Sequence, residues 1–111
     1  MNRLVPVPVA APLPCAGQLL EVPLGRYDWL RIEVGAPDRP ETVGTAWLHY
    51  AHGVDPEHFV VPDGGTGPVW LPVPRRDALR AVRLPAAPDL TVRSMTAVVS
   101  RHSTEERRAG A

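Results

Sequence analysis

The stretch YDWLRIEV, residues 27–34, decides the fold class. On an extended chain, successive side chains point to opposite faces. Leu30, Ile32 and Val34 then share one face, and Trp29, Arg31 and Glu33 share the other. This period of two is that of a half-buried strand. The pattern recurs in TAWLHY (45–50), where Ala46, Leu48 and Tyr50 oppose Thr45, Trp47 and His49. It recurs again in PVWLPV (68–73), where Val69, Leu71 and Val73 oppose Pro68, Trp70 and Pro72. Each stretch has an aliphatic stripe, and each sets its tryptophan out of phase with that stripe.

Working outward, the runs LVPVPV (4–9), QLLEVPL (18–24), EHFVVP (57–62), LRAVRLP (79–85) and LTVRSMTAVV (90–99) bring the candidate strands to eight. GAPDRPE, HGVDPE, DGGTG and AAPD supply turns between them. Fourteen prolines and nine glycines leave little room for long helices. One helical turn fits at RRDALRA (75–81). In LVPVPV the alternating prolines remove ladder donors, which suits an edge strand or a polyproline segment. The expected fold is an all-β, jelly-roll-like antiparallel β-sandwich of about eight short strands. One domain spans residues 1–100. Residues 101–111, RHSTEERRAGA, form a charged tail with no apolar face, expected to be disordered.

Composition excludes several functions. The chain of 111 residues has room for one domain. Its formal net charge is zero, so the basic excess of a nucleic-acid binder is missing. All twelve of its cations are arginine. Without lysine there is no Schiff-base chemistry and no P-loop lysine. Arginine-only usage beside abundant Ala, Val, Pro and Gly matches a GC-rich bacterial genome. The one cysteine, Cys15, has no internal disulfide partner, and this favours a reducing, cytoplasmic compartment. Prolines 6, 8, 12 and 14 interrupt the apolar N-terminal run, which argues against an export signal. No run of about 18 apolar residues is present to span a membrane.

Catalysis finds no footing. Ser94, Ser100 and Ser103 lie outside any G-x-S-x-G elbow, and Ser94 reads as a packed mid-strand residue. Cys15 has no activating neighbour. DGGTGP (63–68) opens no helix and reads as a hairpin loop rather than a phosphate cradle. His49, His52 and His58 with Asp55 and Glu57 crowd one strand and the loop 52–58, but their spacing matches no zinc signature. Asp55, Glu57 and Asp63 supply oxygen ligands of the kind calcium uses. Neither metal nor cofactor is expected. Arg75, Arg76, Arg80 and Arg83 read as a solvated face with Asp77 as counter-charge.

The second half, VWLPVPRRDALRAVRLPAAPDLTVRSMTAV, resembles the closing half of galactose-binding-like jelly-roll domains. These include accessory β-sandwich domains of bacterial glycosyltransferases. YDWLRIEV resembles the early core strand of the same domains. The resemblance implies a non-catalytic module and a carbohydrate ligand. Indole faces stack on the C–H faces of sugar rings while polar neighbours fix the hydroxyls. The expected ligand-binding residues are therefore Trp47, Trp70 and Trp29, with His49, Arg31, His52 and Asp55 supplying hydrogen bonds. The alternative is a structural or assembly subunit whose tryptophan face docks onto a protein partner or a second copy of itself.

Overall fold

The computed structural model describes residues 2–35, 42–61 and 66–100. They form nine strands: β1 (Asn2–Val7), β2 (Leu13–Ala16), β3 (Leu19–Gly25), β4 (Trp29–Gly35), β5 (Thr42–Tyr50), β6 (Gly53–Val61), β7 (Thr66–Pro72), β8 (Leu79–Arg83) and β9 (Ala86–Ser100). A front sheet has the order β1-β9-β4-β7, with β2 also on β9. A back sheet has the order β3-β8-β5-β6. Every pairing is antiparallel. The pairings nest: β1 and β2 with β9, β3 with β8, β4 with β7, β5 with β6. This is one long hairpin rolled onto itself, the jelly-roll topology. Counting β1 and β2 as one interrupted strand returns the expected eight. Among the described residues no helix is long and apolar enough to cross a membrane.

The aliphatic stripes lie between the sheets, as the alternation requires. Leu30, Leu48, Leu71 and Leu79 are all fully buried there. Truncating such a leucine to alanine costs about 2–5 kcal/mol. The 15-residue β9 keeps an apolar side inward only by slipping phase. Its register against β4 shifts so that Val34 faces Val92 while Glu33 faces Ser94. This bulge lets Arg93 and Ser94 both reach solvent while Val92 and Met95 stay in the core. Ser94 is thus exposed, where the sequence suggested a packed residue.

Proline placement follows the same hydrogen-bonding logic. The edge strands carry Pro6 on β1, Pro14 on β2, Pro23 on β3, Pro56 on β6, and Pro68 and Pro72 on β7. The central strands β4, β5 and β8 carry none. A central strand must donate to both neighbours, and proline has no N–H. Pro88 sits in β9 where its register against β2 is broken, before β9 meets β4 at Thr91.

Several expected boundaries moved. The loop proposed over 52–58 is a tight turn at Ala51 and His52, with β6 already running from Gly53. Gly53 has a φ of 141°, outside the range an L side chain adopts easily, and this lets the hairpin close so early. AAPD (86–89) is the start of β9 rather than a turn, because β2, a strand the sequence did not disclose, pairs with it there. The segment 75–81 makes no helical turn. The GAPDRPE turn beyond Gly35, most of DGGTG with Asp63, and the tail 101–111 fall outside the described residues.

Candidate binding surface

Cross-strand register sets which outward side chains meet. On the front sheet, three rows cross the outer face. Leu4, Val98, Trp29 and Pro72 form one, and Pro6, Thr96, Arg31 and Trp70 the next. Ser94, Glu33 and Pro68 form the third. Trp29 and Trp70 are diagonal neighbours, within reach for aromatic side chains. Their ring centroids are 6.3 Å apart and their planes meet at 87°. This edge-to-face arrangement is favoured by the ring quadrupoles. Both stay open, at 40% and 50% exposure. The Arg31 guanidinium lies 5.9 Å from the Trp70 centroid and is ion-paired with Glu33. Val98, between Leu4 and Trp29 on this outer face, is only 2% exposed yet stands apart from the core between the sheets. The front face therefore has a buried apolar side chain of its own beside Trp29.

The back sheet carries the third tryptophan. Its outer rows run Leu19, Arg83, Trp47, Pro56, then Glu21, Ala81, His49, Val54. Thr45 faces His58, and Val43 faces Val60. Trp47 has no aromatic partner in its row. Val43, Val54, Val60 and Leu19 stand exposed around it. A hollow of about 520 Å³ runs beside Trp47, Thr45 and Arg83. Thr45 Oγ1 meets His58 Nδ1 at 2.8 Å, and Arg83 Nη1 donates to the Gly17 carbonyl at 2.8 Å. Burial, then the charges of Arg83 and Arg80, hold the His49 pKa below its ordinary value.

The structure thus divides the expected site. Trp29, Trp70 and Arg31 come together on the front face. Trp47 and His49 lie on the back face, on the far side of the core, so Trp47 and Trp70 share no platform. His52 and Asp55 belong to neither face. At the β5–β6 turn, Asp77 accepts the His52 backbone N–H at 2.7 Å and sits 3.2 Å from its Nδ1. Partial burial raises the Asp77 carboxyl, but the His52 side-chain and backbone hydrogen bonds and that of the Ala78 N–H outweigh it, and the net shift is downward. Asp77 therefore hydrogen-bonds His52, and its charge also acts on Arg75, the counter-charge role expected of it. Asp55 holds Arg75 in a two-point pair, at 2.6 Å from Nε and 2.9 Å from Nη2. Arg75 also donates to the His52 carbonyl at 2.9 Å and lies 5.1 Å from the Tyr50 ring centroid.

Alternation along β6 also separates the acidic and imidazole groups. Asp55 and Glu57 face the inner side, opposite Leu48 and Ala46, whereas His58 faces out. Burial, with Asp55 nearby, raises the Glu57 pKa, and His58 opposes it. Among the described residues no group of three His, Cys, Asp or Glu side chains gathers as metal ligands would. Cys15 is buried in β2, and burial pushes its thiol up to about 11. It is in the wrong state for nucleophilic work at neutral pH.

Sequence reasoning placed Glu33 on the tryptophan face but missed Thr96 and Ser94, which the register sets opposite Arg31 and Glu33 on that face. It also missed a groove of about 300 Å³ beside Trp29, walled by the β3–β4 turn and the β7–β8 loop. The only available signal was that both segments carry arginine, at Arg26 and at Arg75-Arg76. Neither a protein-family profile nor a curated protein matches the chain.

Proposed function

We propose that the protein is a non-catalytic carbohydrate-binding module and that it binds through the outer face of the front sheet. The observation that supports this is the right-angled Trp29–Trp70 pair, half exposed on a rigid sheet beside the Arg31–Glu33 pair. Exposed indole surface offers stacking area for a sugar ring. Arg31 and Glu33 keep donors and acceptors beyond those used in their own pair, and these reach toward hydroxyls. The galactose-binding-like resemblance points the same way. The test is a titration of tryptophan fluorescence with a panel of neutral and acidic oligosaccharides. Saturable binding that Trp70→Ala abolishes and Trp47→Ala leaves intact supports the reading. Binding that follows Trp47 instead would move the site to the back sheet, and no binding to any sugar would overturn the proposal.

A second reading is favoured by the back sheet. Val43, Val60, Val54 and Leu19 expose aliphatic surface with no stacking geometry, as an interface for a protein partner or a second copy would. Light scattering distinguishes the two. A stable oligomer that Val43→Thr with Val60→Thr dissolves supports assembly through this face; a monomer at high concentration removes self-association.

A further inference from the structure

We infer that the saccharide recognised on the front face is acidic, and that its anionic group sits in the groove between Arg26 and Arg76. This rests on the carbohydrate reading above and narrows it to a substrate class. Trp29 belongs to both features: it stands edge-to-face with Trp70 on the platform, and it forms one wall of the groove. A chain of sugar units lying along the tryptophans is therefore led into the groove.

The groove has unequal charges. Three arginines line it, Arg26, Arg75 and Arg76, against one carboxylate, Asp28. Arg75 is already neutralised by Asp55 in its two-point pair. Arg26 and Arg76 are exposed and form no ion pair among the described residues. Asp28 is turned toward β9, where its Oδ2 accepts the Ser100 N–H at 2.7 Å. Two guanidinium groups against one committed carboxylate leave a local excess of one positive charge. Guanidinium forks match carboxylate and sulfate oxygens in geometry as well as charge.

Both walls are tied in place before any ligand arrives. Asp28 N–H donates to the Val98 carbonyl at 2.9 Å, and Val73 N–H donates to the Asp28 carbonyl at 3.0 Å. Arg75 and Asp77 pin the β7–β8 loop to the β5–β6 turn from the other side. A pre-set groove loses less ordering entropy on binding. At about 300 Å³ it lies at the small end of ligand clefts, fit for one sugar unit with its acidic substituent.

The experiment uses the whole chain, at low salt, with a uronic-acid oligosaccharide and the same oligosaccharide after its carboxylates are reduced to alcohols. The acidic form is expected to bind at least about tenfold more tightly, a margin that shrinks as salt rises. Arg26→Gln with Arg76→Gln should erase the margin, so that the acidic and the neutral oligosaccharide bind alike. Trp70→Ala should abolish binding of both. Equal affinity for the two sugars, or a margin that survives the double arginine variant, overturns the inference while leaving the carbohydrate reading in place. Failure of both sugars to bind would overturn the reading itself. Both arginines are exposed, so the variants should fold, and an unchanged thermal midpoint confirms it.

Discussion

The two outer faces of the sandwich start from the same signal and differ in what surrounds it. Front and back each expose tryptophan to about the same degree. On the front, register brings two indoles together, places a buried Val98 beside Trp29 and sets an ion pair against one ring. On the back, Trp47 stands among separate valines and a leucine, with Arg83 and Pro56 as its row neighbours. The front face is an organised constellation, and the back face is dispersed apolar surface. Exposure of a large aromatic is therefore a weak indicator alone. The neighbours that hold its geometry distinguish a recognition platform from an adhesive patch.

The sharpest way to break this comparison is Trp70→Ala against Trp47→Ala. The first should weaken saccharide binding about thirtyfold or more, roughly 2 kcal/mol, and the second should leave it unchanged, as read by calorimetric titration. Equal losses would mean that the faces are not different in kind.

Stability offers a second contrast. Val98→Ala should destabilise the fold by about 1.5–2.5 kcal/mol in urea denaturation, because it removes buried methyl groups from the front face. Val60→Ala, on the back face, should stay within about 0.5 kcal/mol. A silent Val98 variant would show that this outer-face valine adds nothing to the front face.

Asp55→Asn tests whether the Arg75 clamp matters to the front groove. Both partners are about one-third exposed and solvent screens their attraction, so little stability should be lost. The expected effect is instead a moderate loss of affinity for the neutral sugar, as the β7–β8 loop loosens, while for the acidic sugar the charge freed on Arg75 offsets that loss. Unchanged affinity for the neutral sugar would make the clamp irrelevant to binding.

The smallest effect concerns His49 on the back face. Its folded pKa lies below the ordinary value of roughly 6.5, so the fold favours the neutral ring. Its contribution to stability is present above about pH 6.5 and is lost as pH falls through the folded value. Thermal melts between pH 5 and 7 should show that slope, and His49→Gln should flatten part of it. Saccharide binding on the front face should not follow this titration.

The sequence disclosed the phase of every tryptophan and none of their grouping. Alternation is local, so Leu30, Leu48 and Leu71 could be assigned inward from six residues each. Grouping depends on partners such as Arg31 with Trp70 and Trp29 with Val98, and the nested pairing joins residues as distant as Asn2 and Ser100. No short pattern carries that information. Strand β2 was hidden because LPCA is short and flanked by proline and glycine. The length of β6 was hidden because Asp55-Pro56 reads as a turn, although an edge strand admits both residues. Gly44 was hardest of all to read. A side chain there would come within 2.5 Å of the Phe59 ring across the pair, so the position needs glycine for a partner the sequence does not reveal.

The distribution of proline has a further consequence. With both margins of each sheet interrupted, a stray strand finds no continuous row of donors and acceptors to extend. The prolines oppose templated fibril growth at both sheets, and capture of a peptide by strand addition as well. Among the described residues the edges are thus less inviting than the two faces, where side chains offer the apolar surface.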